Sequence, residues 1–173
     1  MQTIPILFFL MVQTLLFDFS PSSDTSSWRI IDDGVMGGLS QGHIDLNEDG
    51  HAVYHGKISL QNNGGFSSLR YRPEPFEVGD ETHLVLRIQG DGKRYQFRIK
   101  SRARDSYSYI QFYETSGEWE TVRLPLEDFY PSFRGRTLDR PNFPAETIAE
   151  IGVLFGNKKA ESFEMKIDWV GLD

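Results

Sequence analysis

Two glycine-rich stretches, "DDGVMGGLS" at 32–40 and "NNGGFSSLR" at 62–70, carry the residue types most suited to binding chemistry in this chain. A glycine loop cradles phosphate when Lys and Ser or Thr follow its last glycine, or when it opens a helix inside a βαβ unit. Here Leu39 and Ser40 follow Gly38, and no helical pattern comes after. The stretch therefore reads as a place where backbones approach closely at a corner of a β protein, not as a nucleotide site.

Other candidate chemistry is thin. His51 and His55 are four residues apart, which along a strand places them about 13 Å from each other at ~3.3 Å per residue. One zinc ion does not bridge that span. His43 and His83 stand alone, and Asp32, Asp33 and Asp45 lack the spaced oxygen ligands of a calcium loop. Ser67 and Ser68 sit outside any G-x-S-x-G elbow. Glu118 with Glu120, and Glu127 with Asp128, read as solvated charge at strand ends, although spacing alone leaves a glycan-cleaving carboxylate pair open. The chain has no cysteine, so disulfides and thiolate chemistry are excluded. The sequence calls for no metal and no cofactor.

The strongest interaction feature is a stripe. "YQFRIKSRAR" alternates Arg98, Lys100, Arg102 and Arg104 with apolar residues, and "YSYIQFYE" alternates Tyr107, Tyr109, Gln111 and Tyr113 with Ile110 and Phe112. If "RDS" turns the chain between two strands, arginines and tyrosines interleave on one sheet surface. Such a surface suits a sugar, a polar peptide or a nucleic acid, and it equally describes cross-strand pairs that only stabilise a sheet. Arg98, Lys100, Arg102, Tyr109 and Tyr113 are the candidate partner-binding residues, joined by Phe133 and Arg134 from the aromatic segment 130–144.

These residues need strands to hold them. Period-two alternation recurs at Ile44 and Leu46, Tyr54 and Ile58, Leu84 to Ile88, Phe97 and Ile99, Val122 and Leu124, and Phe163 to Trp169. Between them lie turn clusters such as "NEDGH", "GDGK" and "TSGE". Strands at short spacing without helices predict an antiparallel β-sandwich. Phe97, Ile99, Ile110, Phe112, Val122, Leu124, Met165, Ile167 and Trp169 are its expected core, with at most one helical turn at 145–150. The segment 130–144 is expected to fold back over the sandwich without regular structure.

The length of 173 residues suits one domain. A net charge of −7 disfavours nucleic acid and anionic membrane as partners. An apolar run within residues 1–14 has the length of a signal-peptide core but lacks a basic start and a good cleavage site. Residues 1–14 thus read as a signal peptide or an apolar extension, and residues 15–173 as the domain. A cleaved signal implies an exported or periplasmic protein and an uncleaved one a cytoplasmic protein. No arginine-rich mitochondrial presequence is visible, and no run is long enough for an integral membrane protein.

"LFDF", "WRIIDDGVMGGLSQG", "NNGGFSSLR", "GDGKRYQFRIK", "PLEDFYPSFRGR" and "FEMKIDWV" together resemble the complex I intermediate-associated protein 30 family, in the family's order and over nearly the whole chain. The resemblance implies a galactose-binding-like jelly roll and a non-enzymatic role as an assembly factor that holds a client protein or assembly intermediate. A carbohydrate-binding module using the Arg/Tyr face is the alternative. The family's first glycine block maps onto Asp33, Val35, Met36, Gly37, Gly38 and Ser40, and its second onto Gly64, Gly65, Phe66, Ser67 and Ser68. The two loops are expected to lie side by side, with Asp33 and the serines satisfying backbone N–H groups.

Overall fold

Alternating apolar residues build strands throughout the computed structural model, which describes residues 14–173. The strands are β1 (Thr14–Asp18), β2 (Trp28–Asp32), β3 (Gln41–Leu46), β4 (Ala52–Lys57) and β5 (Ser67–Tyr71). They continue as β6 (Phe76–Glu77), β7 (His83–Gln89), β8 (Arg94–Lys100), β9 (Ser108–Glu114) and β10 (Trp119–Pro125). The last are β11 (Tyr130–Phe133), β12 (Arg136–Thr137), β13 (Thr147–Ile148), β14 (Glu150–Phe155) and β15 (Ser162–Leu172). Only short 3₁₀ turns interrupt them among the described residues, so the expected helical turn at 145–150 is instead β13 and the start of β14. The apolar N-terminal run, with the signal-peptide reading, lies outside the described residues apart from Thr14.

Two antiparallel sheets face each other. One runs β10-β7-β15-β4-β3, with β1 also paired to β15; the other runs β12-β11-β9-β8-β14-β5-β2. Leu84, Leu86 and Ile88 of β7 and Met165 and Ile167 of β15 meet Phe97 and Ile99 of β8, Leu69 of β5 and Ile151, Val153 and Phe155 of β14 in the shared core. Each such side chain contributes about 1.5–3 kcal/mol by leaving water. Rings close one end, where Trp28 stacks on Tyr71 at 4.9 Å and Phe17 meets both edge-on.

The core departs from the sequence expectation at three places. In β9 the faces are inverted. The register sets Ile99 opposite Tyr109 and Tyr95 opposite Tyr113, so the tyrosines share the inner face with the apolar side of β8. Phe112 is 37% exposed on the other side, and Ile110, although only 4% exposed, lies outside the main core cluster. Aromatic or branched residues occupy both faces of "YIQFY", so alternation did not select one; the length of the turn did. Trp169 is half-buried because a register shift between Ile167 and Trp169 turns it outward, and Val170 takes the inner place. Val122 is half-buried because β10 is an edge strand.

The segment 130–144 is more regular than expected. β11 and β12 form a hairpin on the edge of the larger sheet, turning at Arg134 and Gly135, both at positive φ. Its remainder anchors through Phe143, which is buried 5.3 Å from the Tyr109 ring.

Candidate functional site

The two glycine loops meet around one carboxylate. Asp33 opens a 3₁₀ turn, Asp33–Met36, and is only 1% exposed. It accepts from the Ser40 hydroxyl (2.5 Å) and Ser40 N–H (3.0 Å) of its own loop, and from Gly65 N–H (2.6 Å) and Phe66 N–H (3.3 Å) of the second. Burial alone would raise its pKa; these donors outweigh it and hold the carboxyl below the usual range. Asn62 donates to the Gly37 carbonyl at 3.0 Å and adds a second tie between the loops. Ser67 and Ser68 are buried in β5, behind the junction.

The glycines fit this junction for two separate reasons. At Gly38 and Gly64 an added Cβ would lie 2.2 and 2.5 Å from carboxylate oxygens of Asp33, so a side chain there would displace the carboxylate from its donors. Gly37 has open space but a φ of +87°, which favours a residue without Cβ. Around the junction Val35, Leu39 and Leu60 are exposed.

The stripe of arginines and tyrosines does not assemble as expected. Arg98 and Lys100 point to the outer face of the seven-stranded sheet, while Tyr109 and Tyr113 point into the sandwich, 8% and 6% exposed. The Tyr113 hydroxyl contacts Met165 Sδ at 3.6 Å, and burial pushes the Tyr109 phenol up to about 12. Arg102 lies exposed in the turn after β8, where its carbonyl accepts from Asp105 N–H. Phe133 and Arg134 sit at the tip of the edge hairpin, the guanidinium 5.2 Å above the ring.

A different set of residues occupies the outer face. Arg29, Arg70, Gly152, Arg98, Ile110 and Tyr130 form one cross-strand row, since each stands opposite the next on neighbouring strands. Beside it lie Phe112, capped by the Arg94 guanidinium at 3.8 Å, and Glu150, only 4% exposed. Glu150 receives Arg72 Nε at 2.6 Å and has Arg70 at 3.8 Å and Lys100 at 4.0 Å. Burial lowers the Lys100 pKa; Glu150 opposes that shift, and Arg70, Arg72 and Arg98 reinforce it. Six cations thus share this face with Glu114 and Glu150 on a chain whose net charge is −7. Arg70, Arg94 and Glu150 were not singled out from the sequence, and Phe112 was expected in the core, because their convergence depends on strand order and register.

The other sheet is different. A cleft of about 550 Å³ is lined by His43, His55, Lys57, Asp91, Lys93 and Glu164. There Lys93 is paired with Asp91 and His55 with Asp45, both at 2.8 Å. Among the described residues no three His, Cys, Asp or Glu side chains come together as a metal site.

A family model described as complex I intermediate-associated protein 30 matches residues 17–167. The Drosophila melanogaster protein named "Complex I intermediate-associated protein 30, mitochondrial" is 24% identical, over 98% of this chain and 66% of its own length. The Neurospora crassa protein of the same name is 19% identical, over 88% of this chain and 70% of its own. This chain therefore spans about two thirds of the Drosophila relative. Among solved structures, the family 11 carbohydrate-binding module of a Clostridium thermocellum cellulosomal cellulase superimposes with a TM-score of 0.64. It is 14% identical and covers 92% of this chain and 93% of its own. The agarase AgWH50C gives a TM-score of 0.63 at 11% identity, over 93% of this chain and 24% of its own. The sandwich is thus a galactose-binding-like jelly roll. No helix among the described residues is long and apolar enough to cross a membrane.

Proposed function

The chain belongs to the complex I intermediate-associated protein 30 family, and from that premise we propose that it is a non-enzymatic, assembly-factor-type module. It holds a client protein on the outer face of the seven-stranded sheet. The family match over residues 17–167 supports the class of function. One observation supports the place: cations and an exposed aromatic are concentrated on a single face of an otherwise acidic chain. Exposed Arg and Phe on a rigid sheet are the residue types that anchor interfaces.

The test is photo-crosslinking from position 112 in an extract of the native organism, read by mass spectrometry. A defined client should be enriched, and Arg94→Glu should deplete it. His43→Ala, on the opposite sheet, should leave capture intact. Capture indifferent to Arg94→Glu would move the binding surface elsewhere, with the glycine-loop junction and its exposed Val35, Leu39 and Leu60 next in line.

A second reading, carbohydrate binding, is favoured by one structural observation. Phe112 lies exposed beneath Arg94 on a sheet of a fold shared with carbohydrate-binding modules. Affinity electrophoresis in mixed-linked β-glucan separates the readings. A neutral sugar retards the protein regardless of salt, whereas an acidic client dissociates as charges are screened within about 10 Å at ~0.1 M.

A further inference from the structure

Arg98, midway along the outer-face row, is a half-buried cation with one sealed donor. Its Nε is sealed from solvent and has no hydrogen-bond partner, and none of the ion pairs on the face includes it. Burial is the main influence on its charge, with Arg70 repelling and Glu150 attracting; together they lower its pKa to about 10. It nevertheless stays charged at neutral pH. A buried charged donor without an acceptor is among the costlier defects a fold can carry, and it calls for a cause.

Snorkelling is the bland explanation: the stem covers Ile110 and the guanidinium tip reaches water. It leaves the sealed Nε unexplained, because an unbranched apolar side chain would cover Ile110 at no electrostatic cost. The surroundings supply a better account. Gly152 stands opposite both Arg70 and Arg98 on the strand between them. A Cβ at Gly152 would lie 2.7 Å from the Leu69 carbonyl and 3.3 Å from Arg70 Cγ. Its missing side chain leaves the floor between two guanidinium-bearing strands bare. Arg70, Arg98, Lys100, Ser108, Glu150 and Gly152 line a narrow recess there, with no room for a free water between its walls. Arg70 and Lys100 reach Glu150 only at 3.8 and 4.0 Å, while Arg72 holds one carboxylate oxygen at 2.6 Å; their nearer acceptors are Ser68 Oγ, 3.2 Å from Arg70 Nε, and the Asp105 carbonyl, 2.7 Å from Lys100 Nζ.

We propose that Arg98, with Arg70 and Lys100 swung toward it, is an oxyanion-recognition site that receives a side-chain carboxylate from an acidic segment of the client protein. The proposal rests on the protein-binding reading above and names the group that is recognised. The recess opens when Arg70 leaves Ser68 Oγ and Lys100 leaves the Asp105 carbonyl; Arg98 Nε then donates to the incoming oxygen, and the two freed cations complete the pairing. Arg72 keeps Glu150 neutralised meanwhile. The guanidinium fork matches a carboxylate in two-point geometry.

The full chain, labelled with ¹⁵N, is titrated with a synthetic oligo-glutamate peptide and separately with inorganic phosphate, following the arginine Nε–Hε resonances. The expected result is that the peptide shifts the Arg98 resonance at low salt and the shift collapses at high salt. Phosphate should do no more than chloride of equal ionic strength. Arg98→Met should weaken peptide binding at least about tenfold, as for a desolvated charged contact. It should also hold or raise the thermal midpoint, by about 2–4 °C if one kilocalorie of uncompensated charge is relieved. Saturation by phosphate with no response to the peptide would overturn the carboxylate assignment. An Arg98 resonance that neither probe moves would overturn the site. A midpoint that falls in Arg98→Met would make Arg98 scaffold, and full client capture by that variant would remove it from the interface while leaving the module reading intact. If the parent protein captures no client, the module reading fails, and the Nε–Hε titration still decides the site.

Discussion

The Asp33 carboxylate and the Arg98 Nε are two sealed charged groups on one jelly roll, treated in opposite ways. Asp33 is met by four donors from two loops, and the neighbouring glycines leave room for nothing else. Arg98 has a bare Nε, a repelling neighbour in Arg70, and a share in the field of a carboxylate committed to Arg72. A saturated charge has exhausted its chemistry inside the fold and serves as a clamp. An unsaturated one keeps bonding capacity for something outside it. On the proposed reading, the family's glycine blocks belong to the scaffold, and the neighbourhood of Arg98 to its dealings with other molecules.

The largest effect should come from opening the clamp. Asp33→Ala strands four donors at once, and we expect a loss of about 3–5 kcal/mol, the scale for removing one member of a buried charged network. The midpoint of urea denaturation would measure it. A loss under about 1 kcal/mol would mean that solvent replaces the carboxylate and that the two charges are not opposites. Gly38→Ala comes next, at about 1–3 kcal/mol, because its Cβ would intrude on the Asp33 carboxylate. Gly37→Ala should cost about 1–2 kcal/mol through backbone strain alone, since its surroundings are open. Combining each glycine change with Asp33→Ala sharpens the distinction: the Gly38 cost should shrink in the double variant and the Gly37 cost should persist.

Acid should reveal the clamp as well. The pKa of Asp33 is lowered in the folded protein, because its donors outweigh the effect of burial. A carboxyl lowered below its unfolded value of about 3.9 gives stability that is fully present above that pH. The stability is lost as pH falls through the folded value. Between pH 6 and 2, Asp33→Asn should therefore show a shallower decline in stability than the parent. Glu81, lowered by Thr14 and backbone donors against its own burial, would keep some slope. Parallel declines would indicate that Asp33 is not charged in the native junction.

Much of this contrast was legible in the sequence on one side only. Alternation in β7, β8 and β15 announced a sandwich, and the order of the glycine blocks announced the family and the meeting of two loops. The outer face was not legible, because it depends on which residues of β9 and β14 stand opposite β8. Tyr109, Ile110, Phe112 and Tyr113 are all large and partly apolar, so either face of β9 fits the pattern until the register is known. Gly152 and Glu150 look unremarkable in "AEIGVLF" until β14 falls between β5 and β8. The shift before Trp169 was likewise invisible, since the tail "MKIDWV" alternates without a break and the register slips only in space.

The smallest expected effect tests whether the outer face is a surface at all. Phe112 adjoins Gln111, the residue opposite Phe97, so the two rings face opposite ways, Phe97 1% exposed in the core and Phe112 37% exposed beneath Arg94. Phe97→Ala should cost about 3–5 kcal/mol, as for any buried phenylalanine. Phe112→Ala should forfeit an exposed cation–π contact worth about 0.5–1 kcal/mol, along with the apolar area the ring still covers. Urea midpoints of the two variants therefore rank the two faces directly, and their slopes should match if both unfold the same structure. If Phe112→Ala proved as damaging as Phe97→Ala, the outer face would be a second core under its arginines. Arg98 would then be strained packing, and its missing acceptor would cease to point at a partner. A small cost with weakened client capture would instead tie the exposed ring and the unsaturated guanidinium to one binding surface.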